Sequence, residues 1–581
     1  MAMIRTIQLG PDAREAAIEQ MQHDELDVLV VGGGIVGAGA ALDAVSRGLS
    51  TGLIEQHDLA SGTSSRSSKL VHGGLRYLEM FDFALVKEAL EERGLLLTRL
   101  APHLVRPVPF LFPLHKPQER PYIGAGLVLY DGMAMAGKYD MGVPKHKHLF
   151  RKQLARIAPD LRTDELHGAI HYYDCQVDDA RLVMSIARTA ASYGAHVTTR
   201  TKVTGFLREG ERVVGVQVRD LENDRDFEVR AKTVINAAGV WTDEIQAMMG
   251  GAGALHVEAS KGVHIVVPRD RIRSEAGFIT KTEKSVLFVI PWGSYWIVGT
   301  TDTPWNLDKA HPAASSADID YILAHLNALV RDPLDRHDVV GVYAGLRPLL
   351  KGTVKKAGKG DRGDTAAATT KISREHTVIS PVPGLVLIAG GKLTTYRVMA
   401  KDAVDLAAAE QRPRPSITER VPLVGASGHE TRTNQRVALS RGSGLAIHHI
   451  DHLLGRYGGL IDEVLDLIAS RPELKEPIPG AEEYLTAEVV YAVTHEGARH
   501  LDDVLTRRTR ISIETVHRGT ASAKAVADLM AGELGWTDEQ LSEEIDHYLR
   551  RVEAERQSQL QATDQEADEA RVSAPEGPWA R

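Results

Sequence analysis

The first strong hydrophobic pattern in the chain is the apolar run Asp27–Val31, followed at once by glycines and then by a helical repeat from about Ile35 to Arg47. A short run without polar alternation reads as a strand buried on both faces. Gly48 ends the helix as a C-terminal cap, and the segment TGLIE, ending at Glu55, supplies a second strand. This is a βαβ unit. Further on, LVMSIARTAASYGAHV reads as helix, while ERVVGVQVRD, KTVINAAG, HIVVP, SVLFVIPW and YWIVGTTD read as strands. From about 381, PVPGLVLIAGGKLTTYRVMAKDAVDLAAAE reads as strand, glycine turn and helix. Beyond about Arg412 the pattern changes to amphipathic helices such as LIDEVLDLIAS and ARHLDDVLTRRTR. The predicted organisation is an N-terminal extension over 1–24, a mixed α/β region over 25–410, a helical domain over 411–562 and a polar, acidic, disordered tail over 563–581. No internal repeat is visible.

Gly32, Gly34 and Gly37 stand in Gly-x-Gly-x-x-Gly spacing between that first strand and helix. Glu55 closes the next strand, the context a dinucleotide fingerprint requires. Glycines let the backbone approach a pyrophosphate, which the positive end of the helix favours. Glu55 suits the hydroxyls of an adenosine ribose and repels a 2′-phosphate. FAD and NAD both fit this unit. Two later turns favour FAD: KTVINAAGVW, with Ala238 and Gly239, and LIAGGKLTTYR, with Gly390 and Gly391 at a second strand-to-helix turn. A helix N-terminus there would stabilise charge on a reduced flavin.

The 581 residues exceed one compact domain, and 43% hydrophobic with 25% charged residues is ordinary for a soluble protein. The net charge of −9 argues against a nucleic-acid partner. Cys175 is the single cysteine, which excludes an internal disulfide and a thiol–disulfide flavin reductase, and fits a reducing compartment. No apolar run has signal-peptide or membrane-spanning length, so the expected location is cytoplasmic. No metal-ligating cluster stands out.

The stretch TSSRSSKLVHGGLRYLE (63–79), with DCQVDDARLV, KGVHIVVP, GTTD, AGLRPL and GGKLTTYR, resembles in order the motifs of the FAD-dependent, quinone-linked glycerol-3-phosphate dehydrogenases. The similarity runs from about residue 25 to 400 and continues through DDVLTRRTR. The resemblance implies an amino-acid-oxidase-like fold: a Rossmann-type FAD domain, an interleaved antiparallel substrate domain (about 256–345) and a helical C-terminal domain. It places Thr63, Ser64, Ser65 and Lys69 along FAD, and His72, Gly73 and Gly74 at the flavin ring. Gly390, Gly391, Lys392, Leu393 and Thr394 form the second cofactor turn. Arg76, Tyr77, Arg374 and Lys392 are implied ligands of the substrate phosphate. A phosphate dianion leaving water needs several such charge-assisted donors, and arginine's planar fork matches its oxygens. His264 is implied as the base for the C2 hydroxyl of glycerol 3-phosphate, and Arg347 as the stabiliser of developing alkoxide charge.

Other readings stay open at this level. The acceptor could be O2, as in glycerophosphate oxidases, although no large insertion typical of those is seen. Another small substrate or a non-catalytic dinucleotide-binding role are the remaining alternatives. Peripheral contact with the inner face of the cytoplasmic membrane follows from the resemblance alone, and a homodimer is compatible with it. Arg507, Arg508 and Arg510 read equally as a solvated basic helix face, a dimer contact or a lipid-headgroup contact.

Overall fold

The architecture was analysed in a computed structural model that describes residues 8–74, 82–135, 137, 139, 142–250, 253–283, 286–350, 376–574 and 577. Two large sheets organise the first two thirds of the chain. The first has five parallel strands in the order Leu385–Gly390, Arg225–Asn236, Leu26–Val31, Thr51–Ile54 and His196–Thr198. Antiparallel strands extend it at Thr201–Glu209, Arg212–Asp220 and His376–Val382. Helices Ile35–Ser46, Asp179–Ser192 and Tyr396–Ala407 pack together beside it, which is why strands such as LDVLVV are apolar on both faces. The predicted βαβ unit is present, and Gly48 adopts the left-handed conformation (φ +87°) just after the first of these helices.

The second sheet has ten strands and is almost wholly antiparallel. Its centre is the long strand Val257–Pro268, paired with Gly341–Leu350 on one side and Tyr295–Gly299 on the other. The sequence assigns this sheet mainly to 256–345, but it also recruits Leu70–Val71, Arg106–Pro113, Lys147–Leu149 and Ala169–Gln176. The chain thus crosses between the sheets several times, and the segment after Gly62 lies between them.

The C-terminal region is helical, with two apolar clusters, one around Ile450, Leu453 and Val464 and one around Val504, Val526 and Tyr548. The tail departs from expectation. Residues Asp564–Val572 form a helix capped by Thr563, whose hydroxyl accepts from Glu566 N–H. Its composition has little to bury, but Ala567 packs fully against Val240, Trp305 and Leu346. Asp564 also reaches the buried Lys261 (2.6 Å), which Asp318 contacts from the other side (2.6 Å). A charge that neutralises a buried partner orders a segment that apolar area alone would leave loose. The N-terminal extension is likewise anchored: its helix Pro11–His23 buries Arg14, which donates to Asp220 (2.5 Å) and to the Thr199 carbonyl.

Candidate active site

A cavity of about 2000 Å³ opens between the two sheets. At one end lies the glycine turn. Gly32 has φ +109°, and a Cβ there would sit 2.8 Å from the Ala237 carbonyl. A Cβ on Gly37 would fall 1.8 Å from the Gly32 carbonyl, so no side chain fits. Gly37 therefore does not line the cavity; it lets the helix close down on the turn. Gly32, Gly34, Glu55, Thr63 and Ser64 do line it. Glu55 accepts from Gly33 N–H (2.6 Å) and His57 N–H (2.8 Å), and burial raises its pKa. Ser64 Oγ accepts from Ile35 N–H at the helix start (3.0 Å). An open helix N-terminus flanked by glycines and hydroxyls fits a pyrophosphate.

Ala238, packed against Gly32, and Gly239 line the cavity beside the glycine turn, and His72, Gly74, Gly390, Gly391, Lys392 and Leu393 also line it. Gly390 and Gly391 both take positive φ (+81° and +80°), which turns the chain from the strand towards helix Tyr396–Ala407. Thr394 is set back from the cavity and brackets the His72 peptide, its hydroxyl accepting from His72 N–H (3.1 Å) and donating to its carbonyl (3.2 Å). Gly73 is also set back; its N–H donates to Tyr130 Oη (3.0 Å), and Tyr130 donates to Asp174 (2.8 Å). Arg76, Tyr77 and Arg374 lie outside the described residues.

His264 and Arg347 meet as the sequence implies. They sit on neighbouring antiparallel strands, His264 opposite Tyr343 and Arg347 opposite Ser260, so both side chains project from the same face into the cavity. The His264 ring is 2% exposed and stacks on Tyr343 with centroids 4.8 Å apart. Burial, then the charges of Arg347 and Lys69, hold its pKa well below the usual imidazole value, which leaves it neutral. Arg347 is aimed by Thr300 Oγ1 (3.0 Å) and Asp302 (3.4 Å). Gly299 lies opposite His264 on the other neighbouring strand, and a Cβ there would come within 2.4 Å of His264 Cδ2. Gly299→Ala should therefore displace the imidazole and lower kcat by about 10²-fold, with a stability loss of only about 1–3 kcal/mol. Steady-state kinetics beside thermal denaturation would separate the two effects.

Further expectations change. Lys69, implied as a cofactor contact, is fully buried away from the cavity, with Nζ bonded to Asp179 (2.8 Å) and to the Ser65 carbonyl (3.0 Å). Ser65 is buried beside it and does not line the cavity. The cause is Asp179, the last residue of the DCQVDD motif and the first of the helix, which also accepts from Ser67 N–H and Oγ. Nor is the basic trio of the helical domain solvated. Arg507 and Arg508 both reach the buried Asp58 (2.6 Å each), and Arg510 reaches Asp179 (2.5 Å) and Asp178. The helical domain is thus pinned to Asp58, just before Gly62, and to the start of helix Asp179–Ser192. Sequence reasoning missed Ser68, Tyr343 and the three aspartates 174, 178 and 179. The motif DCQVDD carried the only local signal, three acids in six residues at a strand-to-helix turn.

Comparison with known proteins agrees with this geometry. A family described as FAD dependent oxidoreductase matches residues 27–406, and one described as the C-terminal domain of alpha-glycerophosphate oxidase matches residues 416–541. The chain is 55% identical to a glycerol-3-phosphate dehydrogenase of Mycobacterium leprae, covering 98% of this chain and 95% of that protein. It is 36% identical to the mitochondrial glycerol-3-phosphate dehydrogenase of Homo sapiens, covering 92% and 74% respectively. The crystal structure of glycerol-3-phosphate dehydrogenase from Bacillus halodurans complexed with FAD superposes with a TM-score of 0.77 at 30% identity, covering 94% of this chain and 98% of that one. The buried neutral imidazole, the arginine, the glycine turns and the helical domain all fall within the matched lengths, and the chain belongs to the FAD-dependent glycerol-3-phosphate dehydrogenase family.

Proposed function

We propose that the protein oxidises sn-glycerol 3-phosphate to dihydroxyacetone phosphate and passes the electrons to a quinone. The observation that carries this reading is the neutral, buried His264 beside Arg347 on the wall of a cavity whose other end fits a dinucleotide. Gly32, Gly34, Thr63, Ser64 and Glu55 would hold the phosphate and ribose part of FAD. Ala238 and Gly239 would approach the nucleotide beside Gly32, and His72, Gly74, Gly390, Gly391, Lys392 and Leu393 would surround the ring. FAD, when bound, supplies the hydride acceptor. His264 takes the proton of the C2 hydroxyl, a task suited to an imidazole kept neutral near pH 7. Arg347 offers its guanidinium to the oxygen that becomes the carbonyl, and its charge disfavours early protonation of His264. Arg76, Tyr77, Arg374 and Lys392 hold the phosphate, of which Lys392 lines the cavity.

A quinone acceptor, met at a membrane surface, is supported by the helix Glu119–Met135. Its outward face consists of Pro121, Tyr122, Ala125, Val128, Leu129, Gly132 and Met135, with Tyr122 66% and Val128 61% exposed. Tyr122 and Leu129 also line the cavity mouth. The adjoining segment, whose His148 ring lies against Gly124, exposes Lys145, Lys147, Phe150, Arg151 and Lys152. An exposed apolar face beside basic side chains suits an anionic lipid surface. No helix among the described residues is long and apolar enough to cross a membrane.

The test is anaerobic mixing with glycerol 3-phosphate, which should bleach the flavin. A quinone should then restore the yellow form quickly, and O2 slowly with little peroxide. A flavin that stays oxidised under the ester would refute the substrate; fast peroxide formation would refute the acceptor. Val128→Glu with Met135→Glu, both exposed and off the cavity lining, should abolish sedimentation with anionic vesicles while leaving bleaching intact.

A further inference from the structure

The geometry points to Ser68 as a second catalytic residue, a hydroxyl that carries the substrate proton to His264. The inference rests on the proposed reaction and deepens it. Of the two ring nitrogens of His264, Nδ1 is buried without a hydrogen-bond partner among the described residues. Nε2 faces Ser68 Oγ at 2.9 Å. Tyr343 covers the ring by stacking. Ser68 itself lines the cavity, at the point where the chain passes between the sheets. A proton that enters the imidazole through Nε2 therefore meets the serine oxygen.

The hydroxyl is held in place from both sides of its own residue. Ser67 N–H (3.0 Å) and Oγ (2.7 Å) donate to Asp179, and the Ser67 carbonyl accepts from Tyr343 Oη (3.0 Å). Lys69 N–H donates to Ser67 Oγ (3.0 Å), and Lys69 Nζ donates to Asp179 (2.8 Å). Arg510 of the helical domain closes the cluster on Asp179 (2.5 Å). A serine in an unconstrained loop would sample several rotamers; here the backbone on each side is fixed, so the Oγ–Nε2 contact is preorganised.

In the tautomer that carries the ring proton on Nδ1, Ser68 donates its O–H to neutral Nε2, which leaves its oxygen lone pairs open to the C2 hydroxyl. As C2 gives up its hydride to the flavin, the substrate hydroxyl proton moves to Ser68 Oγ and the serine proton moves to Nε2. The serine ends unchanged, the imidazole becomes imidazolium, and the substrate becomes the ketone. Two protons move and none is created.

The experiment is anaerobic stopped-flow reduction of the FAD-loaded protein by glycerol 3-phosphate in mixtures of H2O and D2O. The wild type should give a rate that bows downwards with deuterium fraction, the signature of two protons in flight. Ser68→Ala should reduce about 10²-fold more slowly, the lower end of what a positioned proton acceptor contributes, with a linear dependence on deuterium and an unchanged FAD content. Ser68→Thr, which keeps the hydroxyl, should recover most of the rate and the curvature. A linear wild-type dependence, or a Ser68→Ala variant as fast as the wild type, overturns the relay. If His264→Ala is slow and Ser68→Ala is not, the relay alone falls; if His264→Ala is as fast as the wild type, the proposed reaction mechanism falls with it.

Discussion

His264→Ala is expected to lower the rate of flavin reduction by about 10²–10⁴-fold, the range a general base contributes, while FAD remains bound. Retention follows from position, because His264 projects from the antiparallel sheet and the glycine turn that fits the pyrophosphate belongs to the parallel one. The pH dependence has a definite sign. Burial and the nearby cations depress the folded-state pKa of His264 below the ordinary 6.5. The imidazole is therefore already neutral at pH 7, and with His264 as the proposed base the acid limb in kcat/KM is expected below about pH 6.5. The substrate phosphate titrates near pH 6, and comparison with His264→Ala separates the two. The same depression weakens folding as pH falls below 6.5, since the unfolded chain binds a proton that the folded one refuses. Above 6.5 His264 contributes no such slope. An unaltered reduction rate in the variant would remove His264 from the chemistry.

The second large effect concerns stability. Asp58 is 1% exposed and accepts from Arg508 Nη1 and Nη2 (2.6 and 2.7 Å) and from Arg507 Nε (2.6 Å). Asp58→Ala would leave Arg508 with the Glu496 carbonyl as its remaining hydrogen-bond acceptor among the described residues. Removing one partner of a buried ion pair costs about 3–5 kcal/mol. Urea or thermal denaturation should register that loss, and an early transition in which the helical domain separates from the FAD domain should appear. Asp58→Asn, which keeps an acceptor, should lose less. Equal stability of Asp58→Ala and wild type would mean that the arginines are satisfied elsewhere.

What the sequence revealed and what it hid divide by separation along the chain. The turn at Gly32, the helix to Ser46 and the glycine pair 390–391 are local, and strand, glycine and helix signals lie within about twenty residues, as the fingerprint requires. The motif match brought His264 and Arg347 to one wall. Lys69 was misplaced because its partner, Asp179, is 110 residues away, and nothing in TSSRSSK signals that a lysine among hydroxyls turns inwards. Arg507, Arg508 and Arg510 read as a surface because helical periodicity says which residues share a face, not what covers it; the carboxylates that cover them from outside the helical domain lie 331 to 450 residues earlier. The tail misled for the same reason: the buried Lys261 that orders Asp564 is 303 residues distant.

The clamp on Asp179 has a consequence for biosynthesis. Arg510 leaves the ribosome 331 residues after Asp179 and 445 after Ser65, whose carbonyl it also reaches. Contacts so remote in sequence close last, so the nascent chain can assemble its parallel sheet early but not the finished wall between the two sheets. Insertion of the prosthetic group into its final setting must then wait until Arg510 has emerged, and a chain halted before it would carry the nucleotide-binding turn without a settled reaction chamber.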